Sequence, residues 1–241
     1  MEKIGEMTSD RHPTTGQPIG APVDATPARR PRPVTLQGRY GRVEKLKPEH
    51  ATTLWDAVND HDAMWTYMSQ YGPFADAAEF SAWLATRSAL EDPYSYAIID
   101  RDNRALGIAT LMEIRPAMRV IEVGHIVYSP ALQRTQLGTE AQYLLARYAL
   151  ETLGYRRYEW KCNSHNAASR RAALRYGFIF EGILRQQMIA KGRNRDTAMF
   201  SMLDGEWPLR KAKFERWLAP ENFTADGRKI LSLGVLNGAA E

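Results

Sequence analysis

VGHIVYSPALQRTQLGTEAQYLLARYAL, residues 123–150, is the stretch from which the rest of the chain can be read. Its start belongs to an apolar strand, residues 120–128, that ends at Ser129-Pro130. A polar loop, Gln133-Arg134-Thr135-Gln136, then leads into a helix entered at Leu137-Gly138-Thr139. Leu137, Ala141, Leu144, Leu145 and Tyr148 recur at helical spacing and Gly154 marks a stop, which predicts a helix over 137–153. The first turn of a helix carries unpaired N–H groups and the positive end of the helix dipole. A strand, a loop and a helix entered on small residues therefore make a ready anion site. Gly138 lets a phosphate approach the backbone, and Arg134 adds a charge-assisted donor. The same residues also suit a plain polar loop that caps a crossover helix. No Walker lysine follows a glycine-rich loop and no G-x-G-x-x-G occurs, which sets aside P-loop and dinucleotide-binding folds.

Upstream, VTLQGRYGRVEKL (residues 34–46) reads as two short extended pieces around Gly38. Residues 49–59 and 76–90 are expected to be amphipathic helices, with Leu54, Trp55 and Val58 on one and Phe80, Trp83, Leu84 and Leu90 on the other. Residues 94–99 and 105–114, joined by the polar turn 100–104, read as an antiparallel hairpin. Downstream, a short strand is expected over 158–162 and a helix over 166–176, stopped by Gly177. A closing hairpin (178–188 and 197–203) turns around Lys191-Gly192-Arg193-Asn194, and a last helix is expected over 207–218. Helix crossovers then join the middle strands in parallel, and hairpins build the ends of a mixed sheet. The fold class is α/β (α+β). Residues 1–33, rich in Pro, Thr, Gly and Arg, are expected to form a flexible extension; 34–207 form the domain; 208–241 add a helix and tail.

The net charge is only +4 and Arg and Lys are scattered among acids, which argues against a nucleic-acid partner and suits a polyanionic cofactor. Cys162 is the single cysteine, so no internal disulfide is possible, which favours a reducing, cytoplasmic setting. No apolar run approaches the ~20 residues needed to span a bilayer, so no membrane partner is expected.

A second segment, KCNSHNAASRRAALRYGFIFEGILRQ (161–186), follows a strand end at Cys162 with cap-type Asn163, Ser164 and Asn166 and a helix of small residues. Together the motifs SPxxQRTxLGTEA (129–141), Asn163 with Ser169, YGFxxEGxxR (176–185), Asp196, Glu206-Trp207 and LxGRYxRVxxL (36–46) resemble the GNAT superfamily. Within it they are similar to the ribosomal-protein N-terminal acetyltransferase (RimJ/RimL-like) branch. The resemblance covers roughly residues 34–207. It implies a GNAT fold, a mixed, mostly antiparallel central sheet with helices on both faces. It also implies acetyl-CoA as cosubstrate, no metal, and direct transfer of the acetyl group to a primary amine of a small molecule or a protein N-terminus. Relatives often pair as homodimers.

Carried over by position, the resemblance implies that Gln133, Arg134, Thr135, Gln136, Leu137, Gly138 and Thr139 bind the CoA pyrophosphate through the backbone. It implies that Ile126, Val127 and Tyr128 pair with the pantetheine amides, and that Asn163 borders the cofactor. Gln136 stands where a glycine is usual, and Ala173 stands where many members carry a tyrosine acid. In the similar branch a helix serine serves instead, which implicates Ser169; that branch can also carry a Glu where this chain has Met188.

Amine acylation needs a group to take a proton and a donor for the leaving thiolate. Glu122 is the candidate base: it sits inside the apolar strand, opposite Ile121, Val123 and Val127 by alternation, where burial raises its pKa. A structural glutamate paired with Arg115 or Arg119 is the alternative. His125, on the other face, is the rival base. Trp65, Tyr67, Tyr71 and Phe74 are placed at the acceptor mouth, or in an ordinary aromatic core. A non-catalytic CoA-binding module and a ribosome- or RNA-associated protein remain the competing classes.

Overall fold

The computed structural model describes residues 9–238; the first eight residues of the expected N-terminal extension and the last three of the tail lie outside them. Two short strands, β1 (Ser9–Arg11) and β2 (Pro18–Gly20), form a hairpin of their own, an element that the polar composition does not announce. Residues 28–32 then lie along the body. Ala28 N–H donates to Pro116 O, Arg29 N–H to Leu153 O and Arg32 N–H to the Tyr148 hydroxyl.

β3 (Thr35–Gln37) and β4 (Arg42–Lys45) make a tight hairpin. Its turn is held by Glu140, which is buried and accepts from the N–H groups of Arg39 (2.7 Å) and Tyr40 (2.8 Å). A Cβ at Gly38 would overlap that carboxylate, so the turn needs glycine there. α1 (Ala51–Val58) and α2 (Ala77–Ser88) follow. α2 starts on an N-cap, Asp76, whose side chain accepts from Glu79 N–H at 2.9 Å, while Glu79 reaches back to Ala75 N–H at 2.6 Å.

β5 (Tyr94–Ile99), β6 (Ala105–Arg115) and β7 (Val120–Tyr128) form an antiparallel run. α3 (Gln136–Arg147) continues as a wider π turn over Tyr148–Thr152 before β8 (Arg157–Asn163). α4 (Ala167–Arg175), the hairpin β9 (Ile179–Ala190) and β10 (Arg193–Leu203), α5 (Trp207–Leu218) and the one-turn α6 (Leu233–Leu236) complete the described residues.

The main sheet runs β3-β4-β5-β6-β7-β8-β10-β9, and every pairing in it is antiparallel except β7 with β8. Only one of the two expected crossovers therefore makes a parallel neighbour. β8 and β9 are joined through α4, but β10 returns between them and separates them.

Two apolar layers cover the sheet. Ile121, Val123, Tyr158, Trp160, Ala198 and Phe200 point into the larger core with side chains of α3, α4 and α5. Leu54, Phe80, Leu84, Ile108 and Val127 form the smaller core under α1 and α2. Helices thus lie on both faces, as expected. Strict alternation is overturned at one point. Val127 lies with the α1/α2 core and not with Ile121 and Val123, because β7 carries an extra residue against β6 between Gly124 and Val127. No helix among the described residues is long and apolar enough to cross a membrane.

Candidate active site

The bulge that moves Val127 also opens the sheet. β7 and β8 pair only from Val120↔Arg157 to Val123↔Trp160. Beyond that point β8 stays with β10 as far as Asn163↔Thr197, while β7 turns away with β6. His125 takes the left-handed conformation at the bend (φ 47°), which lets the strand change direction within a residue. Ile126, Val127 and Tyr128 therefore lie where β7 has a strand neighbour on one side only. An unpaired strand edge inside a fold asks for hydrogen-bond partners and can accept an extended ligand as an added strand.

The strand then runs into the N-terminus of α3. Gln133 Nε2 donates to Tyr128 O at 2.9 Å, folding the loop back on the strand. Thr135 is the N-cap: its Oγ1 accepts from Gly138 N–H at 3.0 Å and donates to Leu132 O at 2.7 Å. The N–H groups of Gln136 and Leu137 have no acceptor among the described residues. A Cβ on Gly138 would meet Leu132 O at 2.7 Å, so glycine is required by loop-on-helix packing and its N–H already serves the cap. Gln136 needs no glycine-like backbone, since it is the first residue of α3; the left-handed residue of the loop is Arg134 (φ 62°). Thr139 donates to Thr135 O and accepts from Arg175 Nη2 at 3.0 Å, which ties α3 to the end of α4.

Across the fork, Asn163 Oδ1 accepts from His165 N–H at 2.9 Å and shapes the turn into α4. Asn166 caps that helix by accepting from Ser169 N–H. Ser169 Oγ in turn accepts from the Trp160 indole at 3.0 Å, and its hydroxyl faces the Cys162 sulfur as a donor. Ala173 is fully buried, and Tyr176 is a core residue stacked on Phe214 at 6.0 Å.

Glu122 is 5% exposed and sits on the sheet face opposite Ile121 and Val123. Burial pushes its carboxyl up to about 7, Lys161 opposes that shift, and Glu159 and Glu113 add to it. Its ion-pair partner is Lys161 at 2.8 Å; the expected partners lie elsewhere, Arg115 on Glu159 at 2.6 Å and Arg119 on Asp24 at 3.4 Å. His125 touches the Arg87 guanidinium through Nδ1 and packs edge-on against Tyr71 at 5.7 Å. A guanidinium only donates, so that nitrogen is occupied as an acceptor.

A roof over this face comes from residues 65–72. Lys191 at the β9–β10 tip donates to Trp65 O (3.0 Å) and Gly72 O (2.6 Å), Arg195 bonds Ser69, and the Tyr67 hydroxyl reaches His165 O at 3.2 Å. Tyr67 and Tyr71 lie on this roof. Trp65 and Phe74 belong to the aromatic packing with Trp83 under α2. They also line a cavity of about 530 Å³ with Trp55, Asp60 and Asp62, which contains none of the fork residues. No group of three or more His, Cys, Asp or Glu side chains suited to a metal ion occurs among the described residues.

Residues 42–179, more than half of the chain, match the family model described as an acetyltransferase (GNAT) domain. The chain belongs to the GNAT acetyltransferase family. A GCN5-related N-acetyltransferase from Brucella melitensis is similar over 89% of this chain and 99% of its own, with 44% identity and a TM-score of 0.86. A probable acetyltransferase of the GNAT family from Chromobacterium violaceum ATCC 12472 is 42% identical over 79% of this chain and 97% of its own, with a TM-score of 0.74. The ribosomal-protein-serine acetyltransferase of Escherichia coli is 26% identical over 106 residues, 44% of this chain. The match spans 59% of the length of that curated relative.

In this GNAT chain the fork between β7 and β8 is thus bordered by the β7 edge, the α3 entrance and Asn163, with Glu122 on one sheet face and Ser169 bonded to Trp160 on the other. Lys161, Glu159, Arg87 and Arg195 were not singled out from the sequence. The signal for two of them was present: in YEWKC (158–162) Tyr158, Trp160 and Cys162 alternate inward, which leaves Glu159 and Lys161 as charges on the other face of a central strand.

Proposed function

We propose that this acetyltransferase moves the acetyl group of acetyl-CoA directly onto a primary amine, of a small molecule or a protein N-terminus, at the fork between β7 and β8. The observation that carries the reading is that fork. It has one open strand edge at Ile126, Val127 and Tyr128, and the edge leads straight to the free N–H groups of Gln136 and Leu137. A chain of amides followed by a diphosphate fits that sequence of donors and acceptors. Arg134, exposed beside the helix entrance, supplies positive charge. Gln133, Thr135, Gly138 and Thr139 hold the loop in shape, and Asn163 bounds the opposite wall.

Acetyl-CoA supplies the acetyl group as a thioester. Glu122 takes the proton that the amine gives up, and a carboxyl with a pKa of about 7 is matched to that task near neutral pH. Ser169 offers a hydrogen bond from its hydroxyl to the departing sulfur and keeps its own proton. The indole of Trp160 holds the serine oxygen in place, and the hydroxyl turns from the Cys162 sulfur to the cofactor when it is bound. His125 is the weaker base, since its Nδ1 is engaged by Arg87. The roof of residues 65–72 orients the acceptor and keeps water from the thioester. A cytoplasmic setting belongs to the same proposal, because acetyl-CoA has to be at hand and Cys162 is the chain's single cysteine.

The test is thiol release from acetyl-CoA with two acceptor sets, peptides with a free N-terminal serine and a series of small primary amines. Turnover with one set assigns the acceptor class. Tight binding of acetyl-CoA with no turnover on either set would overturn the reading in favour of a binding module.

A further inference from the structure

The parallel register of β7 and β8 places Glu122 directly opposite Glu159. Both are 5% exposed. Two carboxylates facing each other across a buried pair of strands repel, and each is costly to leave ionised without a counter-charge. Lys161 resolves the conflict from two residues further along β8, on the same face. Its Nζ lies 2.8 Å from Glu122 and 3.2 Å from Glu159. Glu159 is in turn gripped from both sides, by Arg115 at 2.6 Å and Arg157 at 2.7 Å. Arg157 also pairs with Glu181 at 2.5 Å, which anchors the chain of charges to the outer hairpin.

Resting on the assignment of Glu122 as the base, we propose that Lys161 is the positioning residue that fixes the place and charge state of the Glu122 carboxylate. Glu159, bracketed by two arginines, is the anchor that holds Lys161 there. Lysine suits the role better than arginine: one ammonium can be shared between two carboxylates as a point charge, without the flat two-pronged geometry that would commit it to one. Burial lowers the affinity of Lys161 for its proton, and the two carboxylates more than offset that, so it stays charged.

The other groups that bear on Glu122 are few. β6 brings Glu113, which pushes the Glu122 carboxyl up, and β10 brings Arg195. On β7 itself His125 is three residues away and is held by Arg87 of α2. Lys161 is the one cation of these within ion-pair distance of Glu122 among the described residues. The arrangement makes predictions of opposite sign. Removing Lys161 takes away the charge that favours the carboxylate. Removing the charge of Glu159 takes away one of the two carboxylates that oppose it and leaves Lys161 paired with Glu122.

The experiment is a carbon-13 NMR titration of the full-length protein labelled at the glutamate carboxyl carbon, with E122Q assigning the Glu122 signal. In K161M the Glu122 midpoint moves up by about one to three pH units relative to wild type, and in E159Q it moves down. K161R returns most of the wild-type midpoint. Thiol release with a serine-terminated peptide is followed in parallel, and the acid limb of kcat/KM moves with the midpoint in each variant. A midpoint that is the same in wild type, K161M and E159Q overturns the inference whatever the enzyme acetylates. A midpoint that moves while the acid limb stays put overturns the base role of Glu122, and the catalytic part of the inference with it. If K161M fails to fold, the downward movement in E159Q and its absence in K161R decide the matter.

Discussion

In the proposed mechanism Glu122 takes the amine proton and Ser169 hydrogen-bonds the departing sulfur, and each can be removed with little change of shape. Glu122→Gln keeps the volume and loses the base, so turnover should fall by about 100-fold or more while acetyl-CoA binding holds. Ser169→Ala removes one hydrogen bond to a developing thiolate, and kcat should fall by about 10- to 100-fold. An equal loss in acetyl-CoA affinity would make Ser169 a binding residue instead. The two are measured by initial rates and by calorimetric titration of the cofactor. Glu122 also leaves a mark on stability. Its carboxyl holds a proton to about pH 7 in the folded chain, against a reference value of 4.5. The stability gained is fully present below that reference value and is lost as pH rises through about 7. The fall in Tm between pH 5 and pH 8 should therefore be shallower in E122Q than in wild type. Equal falls would mean that Glu122 titrates as an exposed carboxyl.

At the scale of elements, the loop from Tyr128 into α3 separates stability from binding. Arg134 is exposed and left-handed, a conformation that costs a non-glycine residue about 1–2 kcal/mol. Arg134→Gly relieves that cost and adds unfolded-chain entropy of similar size, so Tm should hardly move while acetyl-CoA binds more weakly. Gly138→Ala should do the reverse. Its Cβ would press on Leu132 O at 2.7 Å and lower stability by about 1–3 kcal/mol, read by denaturant unfolding.

This scale also shows what the sequence could reveal. The helix of the strand–loop–helix, β8 and the β9–β10 hairpin were legible because they carry their periods and turn residues in the open. The bend in β7 was not. Nothing in VIEVGHIVY marks His125 as the residue that turns left-handed, and alternation alone put Val127 on the wrong face. The partner of Glu122 was hidden for a related reason. Arg115 and Arg119 are near in the chain, but the parallel register with β8 brings Lys161 instead, and register is a tertiary property. The insertion of β10 between β8 and β9 is likewise decided by pairing that no single segment encodes.

Over the whole molecule, the two cores and the fork are one construction. The sheet is continuous except where β7 leaves β8, and helices cover both of its faces. The N-terminal segment contributes to the frame through residues 28–32, which lie against the turns around Pro116 and Leu153. Deletion of residues 1–20 should leave Tm unchanged, because β1 and β2 pair with each other and the described side chains of this hairpin are exposed. Deletion of residues 1–33 should lower Tm through loss of the backbone bonds at Ala28, Arg29 and Arg32.

The most direct test of the account is the melting temperature of the full chain with and without excess acetyl-CoA, with adenosine as the control. A ligand at a hundred times its dissociation constant stabilises the folded state by about 2.7 kcal/mol, which for a chain of this size is a rise of roughly 5–10 °C. The account predicts that rise with acetyl-CoA and none with adenosine. No rise with acetyl-CoA would contradict it, for then the open edge of β7 and the free N–H groups of α3 would not be a cofactor site.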